Sequence, residues 1–364
     1  MNVTAVDHVE FYVDDASQTA RQLHQRFGFR CHGRGGPATG LAGQQSLLLG
    51  LGGIRLLVTS ALAPDHPVAR HVARHGDGVA CVALRTADTA AAFQAAVGAG
   101  ADPVTEPRTW RHRDAAVTTA TVSGPGTFTH RLVERPGPGG DFLPGAIEPV
   151  PPEPEPEEGL LAGIDHVALC VAGDELGPAA QFYQDTLGLV EIFQERIEVG
   201  GQVMDSKVVQ SGSQEATFTI VAPDQGTSTG QLADFLRGNA GAGVQHLAMS
   251  TPDITTAVRT FQQRGVRFLT TPGSYYEAIA DRLGTVGLPI DALRAGNILV
   301  DRDHWGEMFQ IFTESPFERR TFFFELIERH GALTFGTNNI RTLYEAKERA
   351  RRALATPTLA EARS

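Results

Sequence analysis

The chain has 364 residues, of which 41% are hydrophobic and 20% are charged, so it is long enough for two domains of about 150 residues each. The formal net charge of −11 argues against a nucleic acid partner, because no run of Lys and Arg offers the positive surface that phosphates require. No apolar stretch approaches the roughly 20 residues of a membrane helix, and the N-terminus lacks the basic and apolar regions of a signal peptide. Three cysteines without a Cys-x-x-Cys pair are typical of a reducing compartment, and we therefore expect a cytoplasmic protein.

The first half of the chain combines alternating strands with amphipathic helices. Residues 6–13 alternate apolar and polar side chains, and Ala20, Leu23 and Phe27 then recur with helical spacing. A further strand, a second helix over residues 89–97 and two closing strands follow. This order predicts a βαβββ module.

A proline-rich segment, residues 136–159, separates the two halves. It reads PGPGGDFLPGAIEPVPPEPEPEEG and has almost no residues that could build a core. We expect a stiff, solvated linker between a first domain of residues 1–135 and a second domain of residues 160–364.

The second half repeats the order of the first. A strand over residues 164–171 precedes a helix with apolar residues Phe182, Tyr183 and Leu187, and a second helix is predicted over residues 254–263. The βαβββ module is therefore predicted twice.

Two features distinguish the second half. An insertion, roughly residues 271–302, mixes Pro and Gly with a predicted helix, and insertions of this type often cover an active site. The chain then continues into a predicted amphipathic helix in which Ile340, Leu343, Tyr344 and Lys347 share one face. We expect this face to lie on the second half.

Three segments of the first half recur in the second half with changes at single positions. VDHVEFYV is matched by IDHVALCV, GDGVACVAL by GAGVQHLAM, and FTHRLVER by FFFELIER. The matches put His8 opposite His166, Cys81 opposite His246, and Arg131 opposite Glu325.

The second copy thus carries two histidines and a carboxylate in apolar strands. Two neutral imidazoles and one carboxylate hold ferrous iron on one face and leave the opposite positions open for substrate and oxygen. A carboxylate such as Glu325, between Phe324 and Leu326, would cost several kcal/mol to bury without a cation. We therefore predict that His166, His246 and Glu325 are metal ligands.

The first copy should be free of metal, because the guanidinium of Arg131 stays protonated and cannot bind a cation. Its predicted role is structural: it could cover the catalytic half or supply subunit contacts. A second group of histidines, His66, His71 and His75, lies among arginines and is interpreted as solvated surface.

At these residues the sequence resembles the 4-hydroxyphenylpyruvate dioxygenase family, which is built from the vicinal oxygen chelate module. The resemblance is strongest over residues 164–354, in the motifs GAGVQHLA, TPGSYYEAI, LVDRDHWGEMFQIFT, FFFELIERHGA and TFGTNNIRTLYEA. The family's iron ligands fall on His166, His246 and Glu325. The resemblance implies an α+β fold of tandem βαβββ modules that form curved, partly open barrels. It also implies Fe(II), O2 and an aryl-pyruvate substrate whose α-keto acid group chelates the iron.

Two products are known in this family, and the pocket selects between them by controlling which carbon is presented for oxidation. Ring-hydroxylating members form homogentisate and typically carry F-P-I-N-E-P, where this chain has FTIVAP with Thr219 and Val221. They also carry G-F-G-K-G-N-F, where this chain has TFGTNNI ending in Ile340. The departures at Thr219, Val221 and Ile340 resemble the members that form 4-hydroxymandelate. We therefore expect 4-hydroxyphenylpyruvate and O2 to give 4-hydroxymandelate and CO2, which would feed hydroxyphenylglycine synthesis for a nonribosomal peptide.

The resemblance assigns polar pocket residues, aromatic walls and a tyrosine on the closing helix. A buried phenylalanine is as often plain core, and the tyrosine hydroxyl could equally face solvent. The predicted pocket residues are Ser206, Thr219, Val221, Gln245, Gln310, Phe312, Phe323, Phe335, Ile340 and Tyr344.

Three other functions stay open from the sequence. The first is a homogentisate-forming dioxygenase of tyrosine catabolism. The second is a binding protein without catalysis, since paired modules of this fold also sequester small ligands. The third is an extradiol catechol dioxygenase with the same ligand type. The family resemblance further implies a homo-oligomer such as a dimer.

Overall fold

The computed structural model describes residues 3–137, 140–151, 159–199, 202–227 and 229–342. Two curved sheets, one from each half of the chain, carry helices on their outer faces.

The first sheet has nine strands in the spatial order β6-β7-β8-β5-β1-β4-β3-β2-β9. The strands are β1 Val3–Tyr12, β2 Arg30–Gly35, β3 Gln44–Leu51, β4 Ile54–Ala61, β5 Gly78–Thr86, β6 Pro103–His112, β7 Ala115–Ser123, β8 Thr129–Glu134 and β9 Glu148–Pro149. The helices of this half are α1 Ala16–Phe27, α2 Pro67–His75 and α3 Thr89–Gly98.

The second sheet has eight strands in the order β11-β12-β13-β10-β14-β17-β16-β15. The strands are β10 Gly163–Cys170, β11 Val190–Val199, β12 Gln202–Gln210, β13 Thr217–Pro223, β14 Gly243–Ser250, β15 Leu299–Arg302, β16 Glu307–Phe312 and β17 Phe323–His330. The helices are α4 Leu176–Leu187, α5 Gln231–Gly238, α6 Ile254–Gln263, α7 Gly273–Glu277, α8 Ile279–Leu283 and α9 Ile290–Gly296. Residues 337–342 are also helical.

The two sheets share one topology. β1 pairs antiparallel with β5, which pairs parallel with β8. In the same way β10 pairs antiparallel with β14, which pairs parallel with β17. When the order of the second sheet is read in reverse, its eight strands match β6-β7-β8-β5-β1-β4-β3-β2 of the first sheet, and β9 has no counterpart. The predicted α+β fold of tandem βαβββ modules is therefore confirmed.

Local signals explain where the predicted helices begin and end. The side chain of Asp15 accepts a hydrogen bond from the backbone N–H of Gln18 and so caps α1. Gly28 and Gly188 follow α1 and α4 with φ of 89° and 68°, the left-handed conformation that glycine adopts without strain. The predicted helices over residues 89–97 and 254–263 are present as α3 and α6.

The two halves share a continuous apolar core. Phe11 of β1 packs against Phe322 with ring centres 5.1 Å apart, and Phe27 of α1 packs against Phe324 at 5.2 Å. Aromatic pairs of this kind add stabilisation to the area that they bury. The first half therefore packs directly on the strand that carries Glu325, which agrees with one of the two roles predicted for it.

The linker prediction was wrong for residues 140–151. Phe142, Leu143, Ala146 and Ile147 are buried and form a small apolar cluster with β3, β4 and β8. β9 also extends the first sheet by pairing with β2. Four apolar side chains among prolines and glycines are enough to dock the segment on the sheet. The predicted domain limits remain a prediction.

The insertion folds as α7, α8 and α9, followed by β15. The predicted closing helix is described only as far as residue 342, and Leu343, Tyr344 and Lys347 lie outside the described residues. Among the helices of the described ranges, none is long and apolar enough to span a membrane.

Candidate functional site

Strand register brings the three predicted ligands to one face of the second sheet. His166 on β10 pairs with Ala248 on β14, and Ala248 pairs with Glu325 on β17. Residues paired in this way project from the same face, and neighbouring strands lie about 4.8 Å apart. His246 precedes Ala248 by two residues and therefore points to that face as well.

Two β-bulges turn further polar side chains toward these ligands. Asp165 and Gln245 are each an extra residue in the register between β10 and β14. A bulge of this kind re-aims side chains and is common beside active sites. As a result Asp165 Oδ1 lies 2.8 Å from His166 Nδ1, and Gln245 Oε1 lies 3.3 Å from His246 Nδ1.

His166, His246 and Glu325 form a buried group, which we call the ligand cluster. Their ligand atoms all lie within 4.8 Å of one another. Glu325 Oε2 lies 3.5 Å from His166 Nε2 and 3.3 Å from His246 Nε2. No second group of this composition and spacing occurs in the described part of the chain, so His66, His71 and His75 do not form one.

Opposite charges determine the protonation of the cluster. Burial raises the pKa of Glu325, but the facing charges and hydrogen bonds of His166 and His246 lower this pKa to about 2. Burial likewise lowers the pKa of His166, but Glu325 and Asp165 raise it to about 9. The carboxylate is therefore ionised at neutral pH, as a metal ligand must be.

The donor chemistry of the ligand cluster fits a divalent metal ion. The oxygens of Asp165 and Gln245 accept hydrogen bonds, so each histidine donates from Nδ1, and its Nε2 would bind a metal ion once that ion displaces the Nε2 proton. Partners of this kind fix ligand orientation in metal sites. Two ligand atoms that each lie about 2.1 Å from a metal ion, with a right angle between the two bonds, are about 3 Å apart. Glu325 Oε2 lies at nearly this distance from the Nε2 atoms of both histidines. Two imidazoles and one carboxylate suit Fe(II) with open positions for substrate.

A cavity adjoins the ligand cluster, with ≈ 560 Å³ of empty space that includes solvent at its mouth. Its walls come from β10 to β14, from β16 and β17, and from residues 332–342, which we call the closing segment. The lining residues are His166, Phe193, Met204, Ser206, Val208, Thr219, Val221, Gln245, His246, Gln310, Phe312, Glu325, Phe335 and Ile340.

Most of the predicted pocket residues lie at this cavity, with two exceptions. Those that line it are Ser206, Thr219, Val221, Gln245, Gln310, Phe312, Phe335 and Ile340. Phe323 does not line it, because it pairs with His246 across β14 and β17 and stacks on that imidazole, with ring centres 4.7 Å apart. A role for Phe323 as a pocket wall stays a prediction. Tyr344 lies outside the described residues.

Three lining residues were not predicted, namely Phe193, Met204 and Val208. Met204 and Val208 flank Ser206 at alternate positions of β12, so strand periodicity from Ser206 could have identified both. No sequence signal identifies Phe193, because its contribution depends on how far the sheet curls around the cavity.

The insertion does not cover the cavity, contrary to the sequence prediction. None of the residues 271–302 is among the lining residues. Its helix α9 packs on α6, and Tyr275 of α7 donates from its hydroxyl to Asn339 Oδ1 at 3.1 Å. The insertion therefore supports the closing segment from outside.

An ion pair occupies the matching position in the first sheet. His8 pairs with Ala83, and Ala83 pairs with Arg131, the same register as in the second sheet. Arg131 Nη2 donates to Glu10 Oε2 at 2.8 Å, and Arg131 Nη1 lies 3.3 Å from His8 Nε2. A guanidinium therefore lies in the first half where a metal ion would lie in the second.

Comparison with known proteins agrees with this geometry. Residues 5–129 and 163–281 match the Glyoxalase/Bleomycin resistance protein/Dioxygenase superfamily. The chain is 32% identical to 4-hydroxyphenylpyruvate dioxygenase of Yarrowia lipolytica, over 94% of this chain and 91% of the relative. It is 34% identical to the dioxygenase of that name from Dictyostelium discoideum, over 94% of this chain and 97% of the relative. The chain belongs to the 4-hydroxyphenylpyruvate dioxygenase family.

A solved structure of similar fold supports the same family. A mutant of 4-hydroxymandelate synthase from Streptomyces coelicolor matches with a TM-score of 0.88 and 39% sequence identity, covering 96% of this chain and 100% of that chain. The predicted family resemblance is therefore confirmed. Enzymes of this family are non-haem iron dioxygenases, and the donor set of the ligand cluster is of the type that such enzymes use.

Proposed function

We propose that the protein is a 4-hydroxymandelate synthase, which converts 4-hydroxyphenylpyruvate and O2 into 4-hydroxymandelate and CO2. The observation that carries the proposal is the aliphatic wall that Val221 and Ile340 form in the cavity. The 39% identity to a 4-hydroxymandelate synthase, against 32% and 34% to two 4-hydroxyphenylpyruvate dioxygenases, supports it. The product would feed hydroxyphenylglycine synthesis for a nonribosomal peptide.

The aliphatic wall is held by packing behind it. Val221 and Ile340 contact a buried apolar cluster that includes Met204, Leu232 and Phe235. An aryl ring that packs on this wall leaves the methylene carbon of the substrate side chain nearest to the ligand cluster. Because orientation decides which C–H bond reacts, this placement favours benzylic over ring hydroxylation.

The ligand cluster would hold Fe(II) through His166, His246 and Glu325. The bound metal would supply a binding position for the keto acid group of the substrate and for O2. Oxidative decarboxylation of the substrate provides the two electrons that the reaction needs, so no external reductant is required.

Polar residues around the cluster hold its ligands and face the substrate. Gln310 Nε2 donates to Glu325 Oε1 at 2.8 Å, which leaves Glu325 Oε2 directed at the two histidines. The hydroxyl of Thr219, beside Val221 at the cavity wall, can donate or accept a hydrogen bond. This hydroxyl would suit the substrate phenol or an ordered water. Phe335 lines the cavity from the closing segment and excludes water from it.

The names of the relatives support one alternative. Several curated relatives are called 4-hydroxyphenylpyruvate dioxygenase, and this activity would give homogentisate from the same substrates. Both reactions would use the same ligand cluster and keto acid group, so the distinction depends on the wall of the cavity.

Product analysis tests the proposal. The purified protein is incubated with Fe(II), 4-hydroxyphenylpyruvate and O2, and the products are separated by chromatography and identified by NMR, because the two candidate products are isomers of equal mass. We expect 4-hydroxymandelate and one CO2 per O2 consumed. Homogentisate as the major product would support the alternative, and binding of the substrate without O2 consumption would indicate a protein without catalysis.

A further inference from the structure

Arg329, at the end of β17, connects a predicted metal ligand to the closing segment. Its Nε donates to Asp165 Oδ2 at 2.7 Å and its Nη2 donates to Asp165 Oδ1 at 2.9 Å. The same Asp165 Oδ1 accepts the hydrogen bond from His166 Nδ1. On its other side Arg329 Nη1 donates to the carbonyl oxygens of Thr334 at 2.7 Å and Ala332 at 3.2 Å.

The Arg329 guanidinium also contacts a wall of the cavity. Its central carbon lies 5.3 Å from the ring centre of Phe335, and Phe335 packs edge-on against His166 with ring centres 5.1 Å apart. A guanidinium suits the place between Asp165 and the closing segment, because its five N–H donors can bind a carboxylate and carbonyl oxygens at the same time. One side chain therefore contacts both the carboxylate that binds His166 and the ring of Phe335.

A second hydrogen-bonded route joins the closing segment to Glu325. Asn339 Nδ2 donates to Gln310 Oε1 at 2.7 Å, and Gln310 Nε2 donates to Glu325 Oε1 at 2.8 Å. Gln310 is 2% exposed and Asn339 is fully buried, so water cannot replace these bonds at low cost. The closing segment is thus connected to two of the three predicted ligands by separate routes.

The first half contains the same arrangement. Arg135 donates from Nε and Nη2 to the two carboxylate oxygens of Asp7, both at 2.9 Å, and Asp7 Oδ1 lies 2.7 Å from His8 Nδ1. Arg135 also donates to the carbonyl oxygen of Phe142, and Phe142 packs edge-on against His8 at 4.7 Å. Asp7, like Asp165, is the extra residue of a bulge. The chain therefore offers an internal control in which a guanidinium, Arg131, lies at the metal position.

We propose that Arg329 is a positioning residue that couples the closing segment to His166, so that docking of this segment and binding of a divalent metal favour each other. A bound metal ion would hold the His166 ring in one orientation. The ring holds the Asp165 carboxylate through its Nδ1 hydrogen bond, and this carboxylate holds the Arg329 guanidinium through two more. Coupling between two binding events is reciprocal, so a docked closing segment raises metal affinity as much as the metal stabilises the docked segment. The inference rests on the proposed function only in requiring a metal at the ligand cluster.

The test measures Co(II) binding and hydrogen exchange, with no turnover assay. Co(II) is titrated into the metal-free protein and followed by its visible absorption, and amide exchange of residues 332–342 is recorded with and without Co(II). In the unaltered protein, Co(II) should slow exchange in the closing segment. Arg329→Lys keeps the charge but loses the guanidinium, so it should bind Co(II) 10- to 100-fold more weakly, the range found for partners that orient metal ligands. The slowing of exchange by Co(II) should also be lost.

Arg135→Lys is the matched control, because it makes the same change beside a site that holds a guanidinium. Its Co(II) affinity should equal that of the unaltered protein. The inference is overturned if Arg329→Lys binds Co(II) as tightly as Arg135→Lys, or if Co(II) does not slow exchange in residues 332–342 of the unaltered protein. An unaltered protein that binds no Co(II) would overturn the proposed function together with the inference.

A second variant covers the case in which Arg329→Lys does not fold. Asn339→Ala interrupts the other route at Gln310 and leaves the bonds of Arg329 in place. Because the Arg329 route stays intact, this variant should keep Co(II)-dependent slowing of exchange in the closing segment. Complete loss of the slowing would overturn the inference, because the Gln310 route alone would then carry the coupling.

Discussion

His8 occupies in the first sheet the register position that His166 occupies in the second. Each pairs with an alanine of the next strand, and that alanine pairs in turn with Arg131 in the first sheet and with Glu325 in the second. The two metal positions therefore differ in side chains on a common backbone. Exchanging these side chains tests whether they alone decide which half binds a metal.

Restoring the ligand set in the first half should create a second metal site. Cys81→His and Arg131→Glu introduce the ligands of the second sheet. Glu10 pairs with Cys81 as Ala168 pairs with His246, so Glu10→Ala removes a competing carboxylate and completes the match. We expect the triple variant to bind a second equivalent of divalent metal, measured by metal analysis after dialysis. If the folded variant binds no more metal than the unaltered chain, the proposed equivalence of the two positions is wrong.

Removing the charge of Glu325 should abolish tight metal binding. Glu325→Gln keeps the size of the side chain, but a neutral amide is a much weaker ligand than a carboxylate. We expect the affinity for Co(II) to fall by more than about 100-fold, beyond the usual effect of altering a residue that only orients a ligand. Glu10→Gln makes the same chemical change at the carboxylate that binds Arg131 in the first half, and it should leave the affinity for Co(II) unchanged. Equal affinities in the two variants would exclude Glu325 as a ligand.

Replacing the aliphatic wall should redirect hydroxylation. Val221→Asn together with Ile340→Phe introduces the residues expected in ring-hydroxylating members of the family, with a polar group at one position and a larger ring at the other, both beside the cluster that includes Met204. We expect part of the product to change from 4-hydroxymandelate to homogentisate, measured by chromatography. Ile192→Phe makes one of the same changes at a side chain that is 46% exposed, and it should not alter the product. An unchanged product ratio in the double variant would contradict the role of the wall.

Asp7 should stabilise the fold in a manner that depends on pH. Burial raises its pKa, but hydrogen bonds and charges from His8 and Arg135 outweigh burial and hold the pKa well below its usual value. Since the pKa is lower in the folded state, the stabilisation is complete above the unfolded value of about 3.9 and is lost as the pH falls below it. Asp7→Asn should lower the free energy of unfolding by about 3–5 kcal/mol at pH 7, because it leaves Arg135 without its carboxylate partner.

Urea unfolding at pH 7 and pH 3 measures this difference. The difference in unfolding free energy between Asp7→Asn and the unaltered protein should narrow at pH 3, because there the unfolded state binds a proton at Asp7 that the folded state does not bind. A gap of the same size at both pH values would indicate that Asp7 stabilises the fold through packing alone.

The sequence could predict the ligand cluster because it contains an internal reference. Matching the two halves identified His166, His246 and Glu325, and equivalent strands in a repeated module have the same register. Their partners were harder to find. Asp165 acts through a bulge, and a bulge depends on pairing between strands that are distant in the chain.

Composition alone predicts the wrong surroundings for residues 140–151 and for the insertion. Residues 140–147 contain enough apolar side chains to dock, among them Phe142 and Ile147, but the surrounding prolines and glycines are typical of a solvated chain. The insertion was expected over the cavity because of its length, whereas Tyr275 supports Asn339 from behind. In both segments the outcome depends on which neighbouring surface is available, and local sequence does not contain that information.

Strand β17 and the residue before it determine whether the second half could be produced alone. Glu325 projects from one face of this strand, whereas Phe322 and Phe324 lie against Phe11 and Phe27 of the first copy. A shortened gene that encodes the second copy alone would leave these phenylalanines exposed to water, and the strand that carries Glu325 would lose its support. The first half therefore stabilises the strand that carries a predicted metal ligand, although a guanidinium fills its own matching position.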